Sequence, residues 1–539
     1  MVSPADVGGQ PVRPGRAARA PFGLVVAGAV LAAAFGLPLV WLAIRSAQFG
    51  LTAALTSTAG LRPLLNSVVL ATAVAGATAV VGTAAAWLTI RTDVAGARLW
   101  RVLLPLPLVI PSFIGAFTLL AAFAPGGLLS RLLGGTVDLP RFGGFWAAFG
   151  VLTLLTYPYV MLPVSARLRD MPSSLEESAR LLRRGTWATF FSVVLPQARS
   201  AIMAGSLLVF LYSVSDFGAV QLLRYDTLTR VIYATRLDQA TSTGLSLQLG
   251  LLALTIVVAE RMLLRGRAAV GAGGKRGLVL PLGRLRWPTT AAIAGLAVFS
   301  LAAPVAVLLY WSARGLLAGS ERAGAITSDP ASLLAPLANT AAGGVAAAAL
   351  TIVLVLPVAY LTARHRGVVA AGANALVVAG FALPGLVVAL ALASFTLRGP
   401  GIAGALYQTL PLLVFAYAVH FGAQGLRAAQ VAVSAVPQRV GDAARMLGAR
   451  GLRRVFVIDL PLMLPGLGAG AGLVLLSTMK ELPATLLLAP PGFTTLATRI
   501  WNATEDAFWA DASLASLLLI AMSGVLTWIL VIRRFDALD

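Results

Sequence analysis

Cysteine is absent from the 539 residues, and histidine and lysine occur only twice each. Without cysteine there can be no disulfide, thiolate zinc site, iron–sulfur cluster or cysteine nucleophile. Charged residues are scarce as well: they make up 11% of the chain, against about 25% in a soluble domain of average composition. A water-soluble enzyme is therefore disfavoured.

Apolar residues are what the chain has in abundance. They form 58% of the sequence and the mean hydropathy is +0.88, which excludes a disordered chain. The net charge is +21, from 41 Lys+Arg against 20 Asp+Glu. In an apolar chain such an excess indicates a membrane protein whose cations lie in loops on one face, and gives no reason to expect a nucleic acid partner.

Long apolar stretches predict twelve transmembrane helices, since a helical span needs about 20 mostly apolar residues. The first six predicted spans are 22–44, 64–90, 102–124, 143–166, 198–222 and 243–260. The second six are 288–311, 337–363, 368–396, 404–426, 463–489 and 510–532. The first stretch is too long for a signal peptide, and we expect it to stay in the protein.

The distribution of cations predicts that both termini are cytoplasmic. With that orientation 29 of the 41 cations lie in inside segments, 11 lie outside, and Lys480 lies within a span. Positive residues concentrate in cytoplasmic loops. The same bias supports an even number of spans, because one span more or fewer would invert every later loop.

The sequence repeats itself. Asn66-Ser67 reappears as Asn339-Thr340, and Pro111-Ser112 matches Pro384-Gly385 at the same offset of 273. Later matches, at offsets of 265 and 268, include Leu195-Pro196 with Leu460-Pro461, Ser215-Asp216 with Lys480-Glu481, and Thr227-Leu228 with Thr495-Leu496. Two halves of six spans each share one orientation, so the repeat is parallel. The prediction is a first domain at 1–264, a flexible cytoplasmic linker at 265–287 and a second domain at 288–539.

Two predicted cytoplasmic segments, 171–196 and 436–461, share an order of residues. In each, a Pro lies five residues before an acid (Glu177 or Asp442), and the Pro of a Leu-Pro pair lies nineteen residues after that acid. Capping-box spacings at Ser173 and Ser174 predict a short helix in the first segment. Small residues after the acid would let one helix face approach another protein closely.

This pattern resembles the E-A-A loop of ABC importer permeases. The resemblance implies an all-α integral membrane protein made of two tandem type I importer permease domains. It also implies that each loop forms a coupling helix that docks on an ATPase subunit. The positions that correspond are Glu177, Ser178, Ala179, Gly185 and Pro196 in the first half, and Asp442, Ala443, Ala444, Gly448 and Pro461 in the second. Arg183 stands where the family's loop has its first glycine and Asp442 replaces Glu, which leaves open whether the two loops dock equally.

Four ionisable residues fall within predicted spans: Asp216, His420, Lys480 and Glu481. Such groups are costly in lipid and are functional by default. Asp216 and Glu481 are equivalent in the repeat. Each lies about eighteen residues past the start of its predicted span, which corresponds to roughly 27 Å from the cytoplasmic end of a helix. We expect Asp216, Lys480 and Glu481 to line the translocation path or its outer gate. The alternative is that Lys480 and Glu481 neutralise each other or cap a helix end. His420 is interpreted as a hydrogen-bonded packing residue.

The segments around these acids are similar to fused ferric-iron permeases. They are Ser215-Asp216-Phe217-Gly218 with Tyr225 to Thr229, and Lys480 to Leu488 with Pro490 to Trp501. Thiamine, phosphonate and polyamine importers have related permeases and stay as alternatives for the substrate. Hard Fe(III) prefers oxygen ligands, so the acids suit iron, and they suit cationic thiamine equally.

The resemblance implies a bacterial inner-membrane subunit with an extracytoplasmic binding protein and two ATPase subunits as partners. The chain itself carries no catalytic residue, resident metal site or cofactor by this interpretation. Neither lysine follows a Gly-rich phosphate-binding pattern, so ATP would be bound by the separate subunits. A twelve-span ion-coupled secondary transporter is the remoter alternative. The hypothesis of a membrane-embedded enzyme has little support, because no nucleophile–base cluster appears in or near the predicted spans.

Overall fold

The computed structural model describes ten stretches of the chain: 20–49, 58–134, 142–172, 181, 185–264, 279–318, 329–365, 367–399, 401–448 and 451–529. Apart from one isolated bridge, the regular structure in these stretches is helical, as the all-α prediction requires. Helices of five residues or more are numbered below in chain order.

The first predicted domain contains eleven of these helices. They are α1 (Phe22–Gln48), α2 (Thr58–Arg91), α3 (Ala97–Leu103), α4 (Ser112–Phe123), α5 (Leu128–Leu132), α6 (Gly144–Thr156), α7 (Pro158–Arg169), α8 (Leu195–Ser215), α9 (Gly218–Leu222), α10 (Leu228–Ala234) and α11 (Gln239–Leu264).

The second predicted domain contains the same number. They are α12 (Arg286–Ala297), α13 (Ala303–Ala318), α14 (Leu334–Arg364), α15 (Val368–Ala382), α16 (Gly385–Arg398), α17 (Leu410–Ala435), α18 (Gln438–Met446), α19 (Leu460–Met479), α20 (Pro483–Leu488), α21 (Leu496–Glu505) and α22 (Trp509–Thr527).

Ten helical stretches of the described chain are long and apolar enough to cross a membrane, and an eleventh is counted if the bent pair α15–α16 forms one span. The bend of 105° at this pair divides the predicted span 368–396 into two helices. The predicted span 404–426 corresponds to α17, which begins at Leu410 and has 26 residues. It is long enough to cross a bilayer, but it is not among the ten stretches of the described chain that are also apolar enough to do so.

Prolines interrupt the third predicted span of each half. In the first half a 3₁₀ turn, Leu106–Val109, lies between α3 and α4, and Pro111 is the N-cap of α4. In the second half Pro384 is the N-cap of α16. Proline lacks an N–H and clashes with the preceding turn, so each span restarts as a new helix at the same repeat position.

The duplication seen in the sequence is also present in the hydrogen bonds. The Arg91 guanidinium donates to the Leu168 and Met171 carbonyls, and that of Arg364 donates to the Val433 and Val436 carbonyls. Asn66 and Asn339 each donate from Nδ2 to a backbone oxygen, of Asp226 and Thr494 respectively. The Leu228 N–H donates to Ser67 Oγ as the Leu496 N–H donates to Thr340 Oγ1, both at 2.8 Å. Equivalent residues therefore make equivalent contacts in the two halves.

The second half packs closely where small residues face each other. A Cβ on Gly466 or Gly470 would come within 2.8 or 2.6 Å of the Cβ atoms of Ala432 and Ala428 in α17. Gly466 and Gly470, four residues apart on one face of α19, therefore permit a close contact with α17. Gly468 has open space where its Cβ would lie and makes no such contact.

Three five-residue π-helical turns of the described chain stand directly before an X-Pro pair. They are Phe190–Val194 before Leu195-Pro196, Val455–Asp459 before Leu460-Pro461, and Val298–Ala302 before Ala303-Pro304. A proline in the helix removes one i→i−4 bond and pushes on the carbonyl four residues earlier. The wider i→i+5 winding relieves this crowding, so the conserved order of the repeat produces the same irregularity in both fifth spans.

The end of the predicted linker is anchored. Leu280 pairs with the loop after α2, because its N–H donates to the Arg91 carbonyl and its carbonyl accepts from the Asp93 N–H. The Asp93 carboxylate accepts from the Leu282 N–H at 2.7 Å. The prediction of a flexible connector is therefore wrong for this end of it, and residues 265–278 lie outside the described chain. The domain boundaries themselves stay a prediction.

Candidate functional site

The second coupling segment is a short exposed helix, α18. Asp442 lies within it, Ala443 is exposed and Ala444 is buried. Gly448, just beyond its end, has φ +83°, the left-handed conformation that commonly terminates a helix. The sequence therefore forms a short helix that stops at the predicted glycine.

Most of the first coupling segment is not described. Glu177, Ser178 and Ala179 lie outside the described residues. Gly185 is exposed, and its carbonyl accepts from the Thr189 N–H in the turn that leads to the π segment. Pro196 and Pro461 occupy equivalent positions in the first turn of α8 and α19.

Large apolar side chains protrude from both coupling segments. Leu181 is 85% exposed, and Met446, at the equivalent repeat position, is 90% exposed. Leu447, the next residue, is 88% exposed. Apolar side chains that are this exposed in a polar loop, on the side of the protein predicted to face the cytoplasm, indicate a surface for a partner protein.

The fifth span of each half is a broken helix, and the predicted acid lies at the break. Asp216 follows α8 directly, and its Oδ1 accepts from the Ala219 N–H of α9 at 3.0 Å. Glu481 lies between α19 and α20, and its Oε1 accepts from the Ala484 N–H at 3.1 Å. Both carboxylates are buried. Each therefore satisfies a free donor at the start of a short helix, where a negative charge is favoured.

The broken fifth span meets the broken third span of the same half, and the contact differs between the halves. In the first half the Ser112 side chain lies next to the Asp216 carboxylate. In the second half the Glu481 carboxylate lies over Gly385, the equivalent of Ser112, where a Cβ would come within 2.5 Å of Glu481 Oε1. The shorter acid thus faces a serine, and the longer acid faces a glycine that makes room for it.

Lys480 and Glu481 point to different partners. Lys480 Nζ donates to the Leu108 carbonyl in the first half at 2.9 Å. Glu481 Oε2 lies 3.9 Å from His420 Nε2, and the opposite ring atom of His420, Nδ1, is 3.1 Å from the Leu383 carbonyl. The alternative in which Lys480 and Glu481 neutralise each other is therefore wrong, and the alternative in which an acid caps a helix end describes Glu481 correctly. His420 is hydrogen-bonded, as interpreted.

The structure also contains a polar cluster that the sequence analysis did not identify. The Asp459 carboxylate, 1% exposed, accepts from the Tyr360 hydroxyl at 2.6 Å and pairs with the Arg454 guanidinium at 3.1 Å. The available signal was an acid directly before the second Leu-Pro pair, where the first half has Val194. Among the described residues no group of three His, Cys, Asp or Glu is placed to hold a metal ion.

Comparison with known proteins gives the family. The model of the family described as binding-protein-dependent transport system inner membrane component matches twice, at residues 79–316 and 355–537. This permease is a member of that family. It is a multi-pass inner-membrane subunit of an ABC importer, built as two tandem permease domains, and it works with a substrate-binding protein.

Curated relatives of the permease include one of nearly the same length. It is 30% identical over 531 residues to the Fe(3+)-transport system permease protein FbpB 2 of Haemophilus influenzae, with 95% of this chain and 98% of the relative covered. The ferric transport system permease protein FbpB of Actinobacillus pleuropneumoniae is 24% identical over 493 residues, 86% of this chain and 70% of the relative. The molybdenum transport system permease protein ModB of Escherichia coli is 28% identical over 134 residues, 25% of this chain and 58% of the relative.

Proposed function

We propose that the permease imports ferric iron and that ATP, bound by two separate subunits, drives the transport. The observation that supports ferric iron as the substrate is the match to the Haemophilus ferric permease over nearly the full length of both proteins. The similarity to the molybdenum permease covers only a quarter of the chain, so it gives less support for a substrate than the match to the ferric permease does. Thiamine, phosphonate and polyamine stay as the alternative substrates.

The geometry around the two acids supports transient passage of a cation rather than a site that holds a cation permanently. Asp216 and Glu481 supply carboxylate oxygens, the ligand type that Fe(III) prefers. Each carboxylate also accepts a backbone hydrogen bond, and the described residues form no metal-binding cluster around them. A transport path must bind its ion weakly enough to release it, and single carboxylates in each half meet that need.

The coupling role is supported by the two exposed segments. Leu181 and Met446 present apolar side chains at the same repeat position on the predicted cytoplasmic face. One ATPase subunit would dock on each segment, with Glu177 and Asp442 at the start of the contact. ATP-driven closure of the two ATPases would then move the fifth spans, which have Pro196 and Pro461 in the first turn of α8 and α19. Both termini of the chain would lie in the cytoplasm.

Two measurements test this proposal. Uptake of labelled iron and labelled thiamine in a strain that lacks the chain, with and without the restored gene, identifies the substrate. Restored thiamine uptake without iron uptake would overturn the iron assignment. Purification from detergent identifies the coupling partners: if no ATPase accompanies the chain, and Glu177→Ala with Asp442→Ala leaves uptake intact, ion-coupled transport replaces ATP-driven import.

A further inference from the structure

A cavity of about 270 Å³ lies between the two halves, at the end of the spans that is predicted to face outward. Its wall combines residues of α1 and α11 from the first half with residues of α16 and α20 from the second. Two of them join the halves, because the Trp41 indole N–H donates to Ser394 Oγ at 3.2 Å. Leu237 and Leu397, which also line the cavity, are 91% and 55% exposed. The cavity therefore reaches the protein surface, and its volume approaches that of small ligand pockets, about 300 Å³.

The wall of this cavity is positively charged. Arg45, in the last turn of α1, and Arg236, just after α10, both line it, and the described residues of the wall include no acid. Neither guanidinium forms an ion pair with a described acid. Arg45 donates to the Gln48 side chain and Arg236 to the Tyr233 carbonyl. The carboxylate of Asp238, two residues after Arg236, hydrogen-bonds within the first turn of α11 instead.

Two hydrogen-bonding groups of the wall are also unsatisfied. Ser246, on α11, is 1% exposed, and its Oγ has no hydrogen-bond partner in the described part of the chain. The buried Nε of Arg45 likewise has none there. A buried polar group without a partner is costly, and both of these groups can donate a hydrogen bond. Acceptor oxygens on an anion suit them, and guanidinium groups recognise phosphate oxygens in particular.

The rest of the wall is largely apolar and continues onto the surface of α1. Leu42, Leu390 and Leu487 line the cavity. Val40 and Ile44, which are close to Leu42 in sequence, are 54% and 45% exposed. The predicted first span ends directly before Arg45, so the charged part of the cavity lies at the level of the lipid headgroups. A free phosphate ion would make no use of the apolar part, and a cationic substrate would be repelled, whereas a phospholipid presents a phosphate next to its acyl chains.

We propose that this cavity binds an anionic phospholipid, with the phosphate between Arg45 and Arg236 and an acyl chain along α1. The lipid contacts both halves and stabilises their arrangement at the outward end. Its site differs from the proposed cation path, where carboxylates supply charge of the opposite sign. The inference goes beyond the proposed function and depends on neither the substrate nor the ATPases.

The test uses the purified full chain, stripped of lipid in detergent, and measures its melting temperature and the lipid that it retains. Phosphatidylglycerol is the probe, and phosphatidylethanolamine with the same acyl chains and inorganic phosphate are the comparison ligands. We expect only phosphatidylglycerol to raise the melting temperature. Equal stabilisation by phosphatidylethanolamine would overturn recognition by charge. Equal stabilisation by inorganic phosphate would indicate a site for a free anion and overturn the lipid.

Removal of the two cations tests the headgroup contact. Arg45→Gln with Arg236→Gln should lower the affinity for phosphatidylglycerol by about 25-fold, since each basic residue near an anionic lipid contributes roughly fivefold. Arg62→Gln with Arg224→Gln is the matched control, because it removes two exposed arginines from the same predicted face but outside the cavity. An equal loss of affinity in the control would reveal a general effect of charge and overturn the site.

Filling the cavity tests the place of binding without a change of charge. Ala393 lines the cavity and is half-buried, so Ala393→Leu should fold and should also lose phosphatidylglycerol. The melting temperature without lipid checks that each variant is folded. Undiminished binding by Ala393→Leu would place the lipid on surface arginines alone and overturn the cavity as its site.

Discussion

The Lys480 ammonium in the second half donates a hydrogen bond to the Leu108 carbonyl in the first half, across 2.9 Å. Leu108 belongs to the 3₁₀ turn that interrupts the first half's third span. The bond therefore joins the break of one half to the broken fifth span of the other. It is a direct connection between the two tandem domains at the predicted translocation path.

Loss of this connection should impair transport. A hydrogen bond made by a charged group contributes about 1.5–3 kcal/mol, so Lys480→Met should lower the uptake rate by about tenfold or more if the bond stabilises one of the two access states. Labelled-substrate uptake in membrane vesicles provides the measurement. Lys275→Met, which removes the other lysine from the linker, is the control, and equal uptake by both variants would contradict a role for the bond.

The pairing of Gly385 with Glu481 should be sensitive to one methyl group. Gly385→Ala puts a Cβ within 2.5 Å of Glu481 Oε1, and overpacking of this kind costs about 1–3 kcal/mol. This loss of stability should appear as a lower melting temperature of the detergent-solubilised chain. Glu481→Asp shortens the acid, so Gly385→Ser with Glu481→Asp, the first-half combination, should recover most of it. A double variant no more stable than Gly385→Ser alone would contradict the size relationship.

Neutralising the two acids distinguishes their role as helix caps from a role in passage of the substrate. Asp216→Asn and Glu481→Gln keep an oxygen that can accept from Ala219 or Ala484, so the short helices should form and the melting temperature should stay close to that of the unaltered chain. Cation uptake by the double variant should fall by about tenfold or more, because a carboxylate ligand to a hard cation is lost on each side. Full uptake would exclude these acids from the path.

Charge on the exposed coupling residues should prevent assembly. Leu181→Glu and Met446→Glu replace side chains that are 85% and 90% exposed, so the fold should be unaffected, while the apolar contact with an ATPase would be lost. We expect each variant to reduce the amount of ATPase that co-purifies. Leu317→Glu, at an 86% exposed leucine on the opposite predicted face, is the matched control, and an equal loss there would point to a general defect.

The absence of cysteine makes the orientation directly measurable. A single cysteine in place of Leu237, which is 91% exposed, should react with an impermeant thiol reagent applied to intact cells from outside. A cysteine in place of Met446 should react only after the membrane is opened. Labelling of the second position in intact cells would reverse the predicted topology.

The sequence analysis predicted features that depend on local chemistry. Pro111 and Pro384, which match in the repeat, both break their spans, because a missing N–H acts on its own helix whatever surrounds it. Gly448 ends its helix for a similarly local reason. The duplication was visible because equivalent residues keep their order along the chain.

Contacts between spans could not be predicted from the sequence in the same way. The direction of the Lys480 side chain depends on where α19 ends, and only the folded arrangement shows that it reaches Leu108. The pairing of Asp459 with Arg454 depends on the π turn that begins directly after Arg454 and ends at Asp459. Hydropathy gave α17 the wrong start, because the residues from Gly401 to Leu406 are apolar enough for a span but form a 3₁₀ turn instead.

The π turns before Leu195-Pro196 and Leu460-Pro461 determine which side of each fifth span faces the third span of the same half. A π turn holds about one residue more than an α turn, and each residue turns a helix by about 100°. Regular winding through Phe190–Val194 and Val455–Asp459 would therefore rotate the whole of α8 and α19, and turn Asp216 and Glu481 away from Ser112 and Gly385. Pro196 and Pro461 oppose that winding. Two prolines next to the coupling segments thus set the rotational register of carboxylates some 30 Å away.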